Sequence, residues 1–350
     1  MPSSISNSSS RAPNSPYLKI WITAVLLLTL MVLVAEFFWR NQGHLPSISD
    51  DQFLWTYNRS QVYSQDENRV ITLLGGSRIQ LGIVPEKLDV NFPEYQTIHL
   101  AIDGTSGYAV FEDLAKDQDF DGLIIMSATV AHFFPSSQDD QQPWVEYYHE
   151  QWSSFSWIEK YINMKVRVFL QNHLVIFSSH LNLRRQLMNS FDSSPNYVLM
   201  RENRYRAAYY YDRMSPEQLA EHRAQRIDRI GQVPDNQLNP EQEQVFEQIM
   251  VGQVSSLVEE MRSHGGDVIF LRMPTCDEHW ELDEIRFPKE QYWDRIEELT
   301  GANTIHFKDV ESLSNFDCPD TSHLDANDAL VFTERLANEL EKMNFIQFNE

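Results

Sequence analysis

Val70-Ile71-Thr72-Leu73-Leu74-Gly75-Gly76-Ser77-Arg78 is the stretch whose reading decides the fold. Apolar and β-branched residues that stop at two glycines read as a buried strand running into a tight turn. Such a turn can present the following hydroxyl at a sheet edge, so Ser77 is a candidate nucleophile; the plainer alternative is an ordinary Gly-Gly-Ser turn. The pattern recurs where Thr97–Ile102 runs into Asp103-Gly104-Thr105-Ser106-Gly107, and again where Gly122–Met126 runs into Ser127-Ala128-Thr129. Helix-like spacing over Tyr108–Ala115 separates the second and third runs.

Near the other end, Pro240–His264 reads as a helix, Asp267–Leu271 as a fourth strand, Pro288–Leu299 as a helix and Thr304–Phe307 as a fifth strand. Ala326–Met343 reads as the closing helix, capped by Asp325 or Asn327. Apolar strands separated by helices predict an α/β domain with a central, mostly parallel five-stranded sheet covered on both faces. Ligands of such sheets gather outside the carboxyl ends of the strands, here the turns carrying Ser77, Gly104 and Ser127.

The alternation breaks at about 134–239, which predicts a large helical insertion. A Gln-rich loop at Gln138–Gln142 opens it, followed by Trp144, Tyr147, Tyr148, Trp152, Phe155, Trp157 and Tyr161. These rings could line a groove for sugars or form the insertion's own core. Met164–Phe177 is expected to be a buried helix rather than a membrane span, because Lys165, Arg167 and His173 interrupt it. Ser215 is expected to cap a helix beginning at Pro216.

Ahead of the domain, Ile20–Phe38 is almost wholly apolar, with Glu36 its only charge, and matches the roughly 20 residues that cross a bilayer as a helix. Bulky Glu36-Phe37-Phe38-Trp39 stands where a cleaved leader would carry small residues. The expected organisation is therefore a disordered cytoplasmic tail (1–18), a transmembrane anchor (19–39), a connector (40–68) and a main domain (69–350). Arg11 and Lys19 before the span favour a cytoplasmic N-terminus and an extracytoplasmic body, at the periplasm or cell surface.

The chain has 350 residues, 42% of them hydrophobic, and a formal net charge of -23. That charge disfavours nucleic acid as a partner, since a polyanion is repelled rather than steered in. Small neutral or glycan-like molecules remain as candidate ligands. The two cysteines, Cys276 and Cys318, could form a disulfide in an exported domain or stay as buried thiols. No Cys/His spacing suggests a metal site, and no cofactor is expected.

Cys318-Pro319-Asp320-Thr321-Ser322-His323-Leu324 precedes the closing helix. An Asp three residues before a His can hold one ring nitrogen while the other faces outward as a base. The bland alternative is a loop that merely caps the helix. Together these residues resemble the SGNH hydrolase superfamily, also called GDSL lipases or esterases. Gly75-Gly76-Ser77 stands where that family has Gly-Asp-Ser. Ala101-Ile102-Asp103-Gly104-Thr105-Ser106 is the counterpart of its oxyanion-glycine turn, and Asp320 and His323 match its Asp-x-x-His. The resemblance covers about residues 69–126 and 265–343.

It implies a flavodoxin-like three-layer sandwich and a Ser77/His323/Asp320 triad, with backbone N–H groups of Ser77 and Gly104 receiving the oxyanion. The family's Gly-x-Asn-Asp block is absent, since Ser127-Ala128-Thr129-Val130 occupies its place; Arg272 or Thr129 would have to replace the missing Asn donor. The implied function is a membrane-anchored serine esterase or O-acyltransferase acting on acyl esters, such as those of a cell-envelope polysaccharide. The alternative is a catalytically inactive relative that binds a glycan or an envelope-assembly partner.

Overall fold

A computed structural model of the chain describes residues 17–63, 69–181, 195–232 and 240–343. The tail expected over 1–18 lies outside the described residues up to position 16. Helix α1 (Tyr17–Asn41) comes first, then α2 (Gln52–Arg59), β1 (Arg69–Leu74), α3 (Ser77–Gly82), α4 (Pro85–Asn91), β2 (Tyr95–His99), α5 (Tyr108–Ala115) and β3 (Leu123–Ser127). The insertion carries α6 (Gln142–Gln151), α7 (Trp157–His173), a short hairpin of β4 (Val198–Met200) and β5 (Arg206–Ala208), and α8 (Pro216–Gly231). The chain returns through α9 (Pro240–Ile249), a π-helical turn at Met250–Val254, α10 (Ser255–Ser263), β6 (Asp267–Arg272), α11 (Asp277–Arg286), β7 (Asn303–His306) and α12 (Ala326–Lys342).

The main sheet has five strands in the order β2-β1-β3-β6-β7, and every neighbouring pair is parallel. Its strands read as continuous apolar runs because successive side chains feed two cores. Val70, Leu74, Ile124, Met126, Val268 and Phe270 face one core with residues of α5 and α10. Ile71, Leu73, Ile125, Ile269 and Leu271 face the other with residues of α3, α4 and α12. On α12 the inward stripe is Ala329, Phe332, Leu336, Ala337 and Leu340, which follows helical spacing. Asp325 caps this helix through the Asn327 N–H, so of the two expected caps Asp325 is the one used.

Two expectations need correction here. Pro288–Leu299 is not one helix but two 3₁₀ turns, Lys289–Gln291 and Trp293–Arg295, followed by the short helix Ile296–Thr300. Tyr292, between the turns at φ -122 and ψ -70, is fully buried against Phe246 and Phe287, so aromatic packing breaks the helix. The expected buried helix over Met164–Phe177 is instead the surface helix α7, which ends at His173. Only Met164 and Val168 of α7 are buried, because its apolar residues are divided between two faces.

The connector is an integral part of the body. Trp55 and Val62 enter the core beside α5, and the buried Arg59 guanidinium pairs with Asp113 and Asp117 at 2.9 and 3.1 Å. Helix α1 is 25 residues long, and none of its most apolar 18-residue window is buried. At 1.5 Å per residue it spans about 37 Å, long and apolar enough to cross a bilayer. Glu36 is buried at its far end. Its carboxylate accepts from Arg40 Nε (2.6 Å) and from the backbone N–H groups of Val175 (2.9 Å) and Ile176 (3.2 Å), tying α1 to the insertion.

Candidate active site

Gly75 and Gly76 carry the chain from β1 into α3. Gly75 has φ +126, and a Cβ there would lie 2.6 Å from the Ser127 carbonyl oxygen; one on Gly76 would lie 2.5 Å from that of Thr105. Side-chain-free backbone lets the turns after β1, β2 and β3 close upon one another. Since β1 lies between β2 and β3, the winding of the sheet reverses at this edge, where open α/β sheets form their crevice.

Ser77 opens α3 in that crevice. Its Oγ lies 2.7 Å from His323 Nε2, and His323 Nδ1 lies 2.8 Å from Asp320 Oδ2. The carboxylate accepts the Nδ1 proton, which leaves Nε2 to accept from the Ser77 hydroxyl. Residues 246 apart in sequence thus meet in one hydrogen-bonded line.

The Asp320 turn is tightly built. Asp320 Oδ1 accepts the N–H groups of Ser322 (3.1 Å) and His323 (2.9 Å). Thr321, between Asp320 and Ser322, has φ +74, an uncommon conformation for a β-branched residue. Its N–H donates to Cys318 O at 2.8 Å, and its carbonyl accepts from Cys276 N–H at 3.0 Å. Cys276 and Cys318 are disulfide-bonded across a separation of 42 residues, so the bridge fastens this turn to the exit of β6. A loop of that length corresponds to about 4 kcal/mol in the chain-entropy account. Cys276→Ser/Cys318→Ser is accordingly expected to unfold at lower denaturant, by about 2–4 kcal/mol in an equilibrium urea titration.

Burial pushes the His323 imidazole below its ordinary pKa; Asp320 opposes that shift, and the Arg226 and Arg78 guanidiniums add to it. The ring is therefore neutral near pH 7, as a base must be. Burial alone would raise the Asp320 carboxyl, but the His323 and His222 rings and Arg226 overcome it and hold the group well below the usual carboxylate range. Arg78 is pushed down to about 10 by burial and then by Arg272. Its Nε donates to Ser322 Oγ (3.1 Å), and a terminal nitrogen lies 2.8 Å from His279 Nε2.

The insertion contributes directly. Tyr210 donates its hydroxyl proton to Asp320 Oδ2 at 2.9 Å. Arg226 of α8 brings Nε to 3.0 Å from the same oxygen, although its N–H is not aimed along a hydrogen bond. His222 Nε2 stands 3.7 Å from it. The Gly104 loop is held from below: Ser106 donates its N–H to Asp140 Oδ2 (2.7 Å), and Gln141 Nε2 reaches Thr105 Oγ1 (2.6 Å) and Gly75 O (3.2 Å). Gly104 itself is exposed at φ +77, with nothing within 4 Å of where a Cβ would stand.

Of the two expected substitutes for the missing Asn, Arg272 is committed elsewhere and Thr129 has its N–H engaged. Thr129 N–H donates to His132 Nδ1 at 3.3 Å. Arg272 spends its terminal nitrogens on Met273 O (2.9 Å), Thr275 Oγ1 (3.1 Å) and the Asp283 carboxylate. Sequence reading missed Tyr210, His222, Arg226, Asp140 and Gln141. The aromatic cluster among arginines at Tyr205–Tyr211 and the Gln138–Gln142 loop were the visible signals, but neither has a spacing that ties it to Asp320 or Gly104.

Tyr197 packs on Tyr210 beside the site, with ring centroids 5.1 Å apart, but six aromatics nearer the start of the insertion lie away from this edge. Trp144 and Tyr148 pack on the core beside α5, Trp152 and Phe155 pack on Phe53, and Trp157 stacks with Tyr161 at the surface. No protein-family model, curated protein or solved structure matches the chain.

Proposed function

We propose that the chain is a membrane-anchored, extracytoplasmic serine esterase or O-acyltransferase of the SGNH kind, acting on acyl esters such as those of an envelope polysaccharide. The observation that carries this reading is the line Ser77 Oγ–His323 Nε2–Asp320, at 2.7 and 2.8 Å. The strand order, which is 2-1-3-4-5 when the five main strands are counted alone, is that of a flavodoxin-like sandwich and supports the scaffold. The disulfide supports a body outside the reducing cytoplasm, α1 supports single-pass anchoring, and Arg11 and Lys19 favour the N-terminus inside.

In this reaction Ser77 Oγ attacks the ester carbonyl as its proton passes to His323 Nε2. The N–H groups of Ser77 and Gly104 receive the oxyanion. Collapse expels the alcohol, which takes the proton back from His323 and leaves an acyl group on Ser77. Water or a sugar hydroxyl then attacks that acyl group, giving its proton to His323; the acyl–Ser77 bond breaks, the acid or new ester leaves, and His323 returns the proton to Ser77 Oγ. The nearby Arg78 and Arg226 supply positive potential that favours the anionic intermediate where the family's Asn is missing.

The test is hydrolysis of short acyl esters by the purified full chain in detergent, beside Ser77→Ala. Turnover that disappears in the variant supports the reading, and equal turnover in both overturns it. The acid limb of kcat/KM should fall below about pH 6.5, the ordinary imidazole value. Arg226→Gln removes one of the charges that depress His323, so it should move that limb to higher pH. A pH–rate series on both forms checks this, and an unmoved limb would show that Arg226 does not act on the base.

A further inference from the structure

Helix α7 has two apolar faces, and the domain uses one. Met164 and Val168 pack on Ile48, Leu54 and Met200. Ile158, Ile162, Val166 and Phe169, at i, i+4, i+8 and i+11, form a second stripe whose members are 60%, 50%, 52% and 60% exposed. Trp157 and Tyr161, which share the helix side of Met164 and Val168, stack in the first turn with ring centroids 5.2 Å apart. Lys160 lies over the Trp152 ring and Lys165 over that of Tyr161, so both ammonium groups stand beside the aromatic end. An exposed apolar stripe on a soluble surface calls for a partner.

Its position names the partner. The C-terminal end of α7 is fastened to the far end of α1, where Arg40 donates to His173 O at 2.8 Å and Glu36 accepts from Val175 and Ile176. Phe37 and Phe38, both exposed, and Trp39 occupy that same turn of α1, the composition favoured at a membrane interface. A helix of 17 residues reaches about 25 Å, so all of α7 lies within that distance of the attachment. Aliphatic residues, aromatic rings and lysines that can extend to the headgroups make an interfacial helix.

We propose that α7 lies in the plane of the bilayer in which α1 is anchored, with Ile158, Ile162, Val166 and Phe169 in the acyl-chain boundary. The inference rests on the anchor reading given above for α1. The occupant is the apolar boundary rather than anionic headgroups, which a chain of net charge -23 does not attract. Two attachments, α1 and α7, hold the insertion at a fixed tilt. The buried face of α7 packs on Met200 of β4, and the paired strand β5 carries Arg206, whose ion pair with Asp103 (2.6 Å) stands next to Gly104. Bilayer contact and the site edge therefore share one structural unit.

The test uses the full chain in phosphatidylethanolamine–phosphatidylglycerol vesicles, with nitroxides on Ile162→Cys, Phe169→Cys, Val25→Cys and, as the aqueous reference, Glu259→Cys on the exposed side of α10. Labels at 162 and 169 should be several-fold more accessible to oxygen, relative to a water-soluble nickel complex, than the label at 259, at a depth of about 5–10 Å. The label at 25 should lie deeper. Labels at 162 and 169 that match 259 while 25 is deep would overturn the docking and leave the anchor standing. A label at 25 that also matches 259 would overturn both. Exclusion of both reagents at 162 and 169 would mean that protein, such as a second copy, covers the stripe, and would equally overturn the proposal.

Discussion

Ser77→Ala is expected to lower kcat/KM for ester hydrolysis by about 10⁴-fold or more, with His323→Ala similar and the double variant no worse than either. In the proposed mechanism the three groups act as one unit: without the hydroxyl His323 would have nothing to deprotonate, and without the ring Ser77 would stay protonated at neutral pH. Asp320→Asn should cost about as much, because an amide directed at Nδ1 favours the wrong tautomer. That variant carries a second cost, since Asp320 Oδ2 also accepts from Tyr210 and faces Arg226. Kinetics should therefore be read beside circular dichroism, and losses that multiply in the Ser77/His323 double variant would contradict a shared mechanism.

Gly76→Asp would create the Gly-Asp-Ser sequence of SGNH hydrolases, and it is expected to damage the protein. The new Cβ would stand 2.5 Å from the Thr105 carbonyl oxygen, and backbone cannot step aside as a side-chain tip can. Relief requires moving the 103–107 loop, which Gln141 and Asp140 hold against β1. Overpacking of this kind costs about 1–3 kcal/mol, and displacing the Gly104 N–H would remove a proposed oxyanion donor, worth about 10²–10³ in rate. Equilibrium unfolding and ester turnover of the variant check both parts. Unchanged stability together with unchanged or improved turnover would show that the turn has room this account denies it.

The sheet was legible in the sequence because its inner strands β1, β3 and β6 are almost wholly buried on both faces, which leaves near-continuous apolar runs, two of them stopping at glycine or serine. Ser77, Asp320 and His323 were legible for a related reason: each sits at a strand end or beside a helix cap, where local sequence dictates the turn. The insertion was opaque. The contacts that Tyr210, Arg226 and Gln141 make with the site depend on how a long excursion folds back, and no periodicity records that. Helix α7 misled because its apolar count suggested burial, whereas their placement around the helix divides them between the domain and its surroundings. The cysteine pair needed the Cα separation, 5.7 Å, before a bridge could be assigned.

The most direct measurement of the central claim is covalent trapping of the full chain by an alkyl phosphonate that reacts with activated serine, followed by peptide mass spectrometry. The account predicts one adduct, on Ser77, that forms slowly or not at all in His323→Ala. No adduct on Ser77, or labelling of Ser77 at the same rate in His323→Ala, would contradict it.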